Sequence, residues 1–183
     1  MIDTLPRGLS PELLEFCSSI SPERPKFVRS TPLQDAGPSA CFLNVARRVL
    51  ARGGGTAFGW AVWHVRGAYF EAEHHGIWRK PGGELLDVSP QLNGYRKILF
   101  LPDPKAFYDP GAFRPNVMKA ESGSVLGEAF VATALRRYEI LNAVRPPGIV
   151  EPIVPQLTAE DALEIAQLDA RLRQLFAELG QSQ

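Results

Sequence analysis

Cys41 lies in the run QDAGPSACFLN, and a second segment, EAEHHGIWRKPGGELLDVSP, carries His74, His75 and Asp87. A thiol, an imidazole and a carboxylate are the groups needed for a cysteine nucleophile, its base and the residue that orients the base. Pro38 and Ser39 suit the start of a helix, so Cys41 is expected in its first turn. There the positive end of the helix dipole favours thiolate, the reactive form. The small residues before Cys41 would let a substrate approach closely. Gln34, seven positions earlier, could donate its side-chain amide into an oxyanion hole.

The histidine segment reads as a hairpin centred on Pro81. That register opposes Arg79 to Gly83, Ile77 to Leu85 and His75 to Asp87. Directly opposed residues share a face with Cβ atoms roughly 5 Å apart. Asp87 would then accept the Nδ1 proton of His75 and leave Nε2 for the thiol. A one-residue slip would put Asp87 opposite His74 or Gly76. Alternation puts His75 on one face with Glu73 and Ile77, and His74 on the other with Gly76 and Trp78, so His75 is preferred as the base. Asn44, one helical turn beyond Cys41, could serve the site or tie helix to sheet. Trp78, near the histidine strand, is a candidate for the wall of a substrate cleft.

These residues need particular elements to hold them. A short helix is expected over 11–19, capped by Ser10, and an irregular extended segment over 21–38. Apolar residues at helical spacing from Phe42 to Leu50 predict a helix over 39–52, stopped by Gly53, Gly54 and Gly55. Those glycines follow a helix and no GK[ST] comes after them, so they are not read as a phosphate loop. Strands are expected over 56–64, 69–78, 83–88 and 96–101. Residues 102–121 read as a surface loop, and 125–144 as a helix ended by Arg145-Pro146-Pro147-Gly148. A proline-rich connector reaches Pro155. A last helix begins at Thr158, where TAED offers a capping pattern, and carries the stripe Ile165, Leu168, Leu172, Leu175 and Leu179.

The chain of 183 residues fits one α+β domain over 1–155, with a helix over 156–183 that docks on it or serves association. Twenty Lys plus Arg balance twenty Asp plus Glu, so no global charge favours nucleic acid or an anionic membrane. Two cysteines imply no disulfide framework and suit a reducing compartment. The start MIDTLPRGLSPELLEF lacks a basic stretch followed by an apolar core, and no apolar run approaches the ~18 residues of a spanning helix. The expectation is a cytoplasmic protein without a cofactor or metal.

SACFLN around Cys41, HGIW from His75 and LLDVSP around Asp87, in that order, resemble the papain-like and transglutaminase-like cysteine enzyme superfamily. The resemblance covers about residues 32–102. It implies a core in which the helix opening with the cysteine packs on an antiparallel sheet, with further helices toward the C-terminus. It also implies a thiolate that attacks an amide carbonyl of a peptide or isopeptide, with hydrolysis or acyl transfer through a thioester. The interval from His75 to Asp87 is shorter than is common in transglutaminase-like domains, and Gln34 lies one residue farther from the cysteine than the oxyanion glutamine of papain-like proteases. Two other readings compete. One is a non-catalytic domain of this fold that binds a protein partner through its last helix. The other is a zinc site of Cys41, a histidine and Asp87, which lacks CxxC or HExxH spacing.

Overall fold

The structure is a computed structural model that describes residues 4–91, 93–109, 114–144 and 156–181. The elements are α1 (Pro11–Ile20), β1 (Lys26–Arg29), α2 (Cys41–Arg52), β2 (Gly55–Val65), β3 (Tyr69–Arg79), β4 (Leu85–Leu86), β5 (Lys97–Pro102), β6 (Val117–Ala120), α3 (Val125–Ala143) and α4 (Ala159–Gln181). The chain is thus mixed α+β. The strands order as β1-β5-β2-β3-β4, with β6 pairing β3. The register between β1 and β5, β2 and β5, and β3 and β4 is antiparallel.

Two compact units divide the described chain. One comprises Leu5–Trp63 and Ala72–Tyr108, and holds α1, α2 and most of the sheet. Its sheet nearly closes on itself. A parallel bridge joins Ser30, just past β1, to Asp87, just past β4. Thr31 N–H donates to the Asp87 carbonyl, and Asp87 N–H donates to the Arg29 carbonyl. Val28, Ala57, Ala61, Ile77, Ile98 and Phe100 form one apolar cluster of this unit. Val45 of α2 packs with Trp78, Leu86 and Val88 in another, which fixes α2 against β3 and β4.

The other unit takes in His64–Glu71 and Asp109–Gln183. Val65, Ala68, Tyr69, Val131 and Leu179 make its core. Helix α4 lies along α3, where Arg136 meets Glu164 at 2.7 Å and Arg137 meets Asp169 at 2.6 Å. Ile165, Leu175 and Leu179 of the α4 stripe are buried. Thr158 caps α4 by accepting from Asp161 N–H at 3.1 Å. The turn expected at 145–148 and the connector to Pro155 lie outside the described residues.

Local expectations hold where the signal is local. Ser10 accepts from Leu13 N–H at 3.2 Å and caps α1. Gly53 and Gly54 both take positive φ. A Cβ on Gly54 would stand 2.2 Å from the Arg79 carbonyl oxygen, so only glycine fits between α2 and the end of β3.

Several expectations need correction. The segment 21–38 contains a strand, β1, because Lys26–Arg29 pairs with β5, a partner remote in sequence. Its single buried residue, Val28, leaves no alternation to read. The region 102–121 ends in β6 for the same reason. Helix α2 starts at Cys41 with Ala40, not Ser39, at the cap. Ser39 instead takes φ of 55°, a left-handed turn into the helix. The expected strand over 83–88 shrinks to Leu85–Leu86, and its register differs. Arg79 opposes Leu85 and Trp78 opposes Leu86. The turn explains this. Gly83, with φ of 87°, donates to the Lys80 carbonyl, and Lys80 N–H donates to the Glu84 carbonyl. The loop is therefore 81–83 instead of 80–82, a three-residue connection with left-handed glycine at its end. Moving the loop by one residue moves the register by two.

Candidate active site

A two-residue shift preserves the face that each side chain takes, because strand side chains alternate with period two. That is why His75 and Asp87 still meet. They do so where β4 has parted from β3 and Asp87 has crossed to Ser30. His75 Nε2 donates to Asp87 Oδ1 at 3.2 Å. Both groups are out of water, with the Asp87 side chain fully buried and that of His75 7% exposed. The ring nitrogens are used in the reverse of the expected order. Nε2 faces the carboxylate, which leaves Nδ1 as the ring nitrogen available to the Cys41 thiol, a group near enough to raise the pKa of His75. Cys41 itself is half-buried.

Asp87 is held from all sides. Its Oδ2 accepts from Ser30 Oγ at 2.6 Å and from Gln91 Nε2 at 2.7 Å. Its Oδ1 also accepts from Ser89 N–H at 3.1 Å. The carboxylate therefore has four donors, which suits a buried anion. Burial alone would raise its pKa, but His75, Ser30 and the Ser89 N–H outweigh burial and hold it below the ordinary value. Burial likewise disfavours charge on His75. Hydrogen bonds and charge from Asp87 and Cys41 prevail and push its pKa up to about 10.

Cys41 is the first residue of α2, and no side chain caps that helix. The first intrahelical bond in it runs from Asn44 N–H to the Ala40 carbonyl. The N–H groups of Cys41, Phe42 and Leu43 come before that bond and point out of the helix start. They form a positive end beside the thiol that can receive an anion.

The remaining sequence candidates fall elsewhere. Gln34 is exposed, and among the described residues its side chain makes no hydrogen bond. Asn44 is buried and donates to the Gly37 carbonyl at 3.0 Å and to Ser89 Oγ at 3.2 Å. It ties α2 to the loop before it and to the segment that carries Asp87. Trp78 donates to the Gly53 carbonyl at 2.9 Å and packs in the core with Val45, Leu86 and Val88. His74 donates through Nε2 to the Ala106 carbonyl at 2.7 Å. Among the described residues, no cluster of three or more His, Cys, Asp or Glu is arranged to hold a metal ion.

Ser30, Ser89 and Gln91 escape a reading of the sequence. Ser89 follows Asp87 by two, the spacing of an aspartate that caps its own turn, and could have been suspected. Ser30 reaches Asp87 only through the closure of the sheet. Among the described residues, no helix is long and apolar enough to cross a membrane. Compared with known proteins, the chain matches no family model, no curated protein and no solved structure.

Proposed function

We propose that the protein is a cysteine-dependent acyl-transfer enzyme, acting on an amide carbonyl of a peptide or isopeptide through a thioester. The observation that carries this reading is a buried His75 hydrogen-bonded to Asp87, with the Cys41 thiol near enough to the ring to raise its pKa. A protonated His75 stabilises thiolate on Cys41. The thiolate attacks the carbonyl carbon, and charge moves to the carbonyl oxygen. The uncapped N–H groups at the start of α2 are the donors for that oxygen. His75 gives its proton to the leaving amine as the C–N bond breaks, and a thioester remains. Neutral His75 then takes a proton from water or from a second amine. The oxygen or nitrogen that gave up the proton adds to the thioester carbonyl, the C–S bond breaks, and Cys41 leaves as thiolate while the acid or new amide departs. Asp87 keeps the ring oriented and carries the counter-charge for both steps.

A papain-like and transglutaminase-like core is part of this proposal. It is supported by the chain order of a helix opening with Cys41, a strand bearing His75 and an aspartate after the next strand. A reducing, cytoplasmic setting belongs to it as well, since Cys17 and Cys41 are both free thiols. Partners in this reading are protein or peptide substrates, with no cofactor.

The test is acyl trapping. The protein is mixed with p-nitrophenyl acetate and followed by intact mass and peptide mapping. One acetyl group on Cys41, removed by hydroxylamine and missing in Cys41→Ser, is the expected result. Equal and slow modification of Cys41 and Cys17 by both this ester and iodoacetamide overturns the reading.

A further inference from the structure

The residue after Cys41 and the residues around His75 build something the triad does not use. The Phe42 ring stacks on Tyr108, with centroids 4.4 Å apart and planes 21° apart, and meets His74 at 4.8 Å. It also fills the space above Gly76, where a Cβ would come within 2.8 Å of it. The ring is therefore fixed beside Cys41 in the chain and over the residue that follows His75.

Tyr108 is brought there by a pinned loop. Asp103 is buried, and its carboxylate accepts from Trp60 Nε1 at 3.1 Å and from Lys105 N–H at 2.9 Å. The Ala106 N–H donates back to the Asp103 carbonyl, and its own carbonyl accepts from His74. This loop spends a buried carboxylate and a histidine to hold two large aromatics that remain open to water. Phe107 is 53% exposed and Tyr108 41%, and Leu43, on α2 just after Phe42, is 62% exposed. A core needs no such exposure. A flat apolar surface anchored on the residue that follows the thiol suits a planar group on the molecule that the thiol attacks.

We propose that Phe42 and Tyr108 form the wall of an acyl subsite that selects acyl groups ending in an aromatic ring, and that His74 is the positioning residue that sets this wall by holding the 103–108 loop. The inference rests on the reading of Cys41 as the nucleophile. Ring stacking contributes ~0.5–1.5 kcal/mol beyond area burial, so a preference of up to about tenfold is expected from it.

Two reagents with one warhead test it: iodoacetamide and N-benzyl iodoacetamide. In both, the Cys41 sulfur displaces iodide. Each alkylation rate is divided by that of free cysteine with the same reagent. The wild type should then favour the benzyl reagent by about tenfold. Tyr108→Ala should bring that ratio close to one. His74→Leu should lower it too, whereas His74→Gln, which can still donate to the Ala106 carbonyl, should retain most of it. Rapid labelling by iodoacetamide with a wild-type ratio near one overturns the subsite and spares the nucleophile. So does a ratio that survives Tyr108→Ala. Labelling of Cys41 by iodoacetamide no faster than that of Cys17 overturns the nucleophile, and the subsite with it.

Discussion

His75 reaches Asp87 across the place where their strands separate. The β3–β4 ladder ends at Trp78 opposite Leu86, and Asp87 bridges Ser30 instead, yet His75 Nε2 lies 3.2 Å from Asp87 Oδ1. The contact therefore depends on the closure of the sheet through Ser30 as much as on the hairpin. A flat hairpin alone would place Ile77, not His75, opposite Asp87.

Asp87→Asn tests the charge in that contact. The amide has nearly the shape of the carboxylate but cannot balance a buried imidazolium. Breaking a buried ion pair from one side costs ~3–5 kcal/mol. Urea denaturation near pH 6 should show a loss of that order. Cys41 alkylation at the same pH should slow by ~10²-fold or more, the usual range for losing assisted proton transfer. Wild-type alkylation rates in Asp87→Asn would remove Asp87 from the proposed mechanism.

The raised pKa of His75 fixes the sign of a pH effect on stability. A group whose pKa rises from 6.5 unfolded to about 10 folded stabilises the fold fully below 6.5, and this stabilisation is lost as pH climbs to about 10. Asp87 acts in the opposite direction. Its depressed pKa stabilises the fold above its ordinary 3.8, and that contribution is lost as pH falls through the lower folded value. Both contributions are complete between pH 3.8 and 6.5. Wild-type stability measured against His75→Gln should decline across pH 6.5–10 by roughly 1 kcal/mol per pH unit. A flat difference over that window would show that His75 is not a buried cation.

Ser30→Ala isolates the closure of the sheet. The hydroxyl donates to Asp87 Oδ2 at 2.6 Å within a buried group. Hydrogen bonds to charged acceptors contribute ~1.5–3 kcal/mol, so a loss in this range is expected near neutral pH. The acid side of the stability profile should also move to higher pH, because Asp87 loses a donor that favours its charged form. Ser30→Thr, which retains the hydroxyl, should restore the position of that acid side.

The candidate site was legible in the sequence to the extent that its signals are local. Cys41 at a helix start follows from the apolar spacing after it and the small residues before it. His75 and Asp87 share a face because strand alternation survives a two-residue shift, even though the turn at 81–83 moved the register. The use of Nε2 toward Asp87 was not legible, since it depends on how far β4 departs from β3. Nor was Ser30, which sits beside a strand with one buried residue and a partner 57 positions away. The same holds for His74. Its alternation placed it away from the thiol, but its bond to Ala106 depends on a loop 32 residues later. Gln34 had the right residue type and nearly the right spacing, but spacing in an irregular loop says little about direction, and its side chain faces solvent.

Gly76→Ala joins the aromatic wall to the thiol in one measurement. A Cβ at this position would stand 2.8 Å from Phe42 Cδ1 and 3.0 Å from Cε1. No real Cβ contact is that short, so the ring must move. Phe42 has little freedom to do so, with Tyr108 stacked on its face and His74 against it. Overpacking of this kind costs ~1–3 kcal/mol. The displaced ring also pulls on the first turn of α2, which holds Cys41. Gly76→Ala should therefore lower the urea midpoint and slow Cys41 alkylation by iodoacetamide together. Adding Phe42→Leu, whose smaller side chain leaves room for the methyl group, should recover much of the stability. It should not recover the preference for the benzyl reagent, because the stacked ring is gone. A double variant that regained both would show that Phe42 serves only to pack α2 on β3.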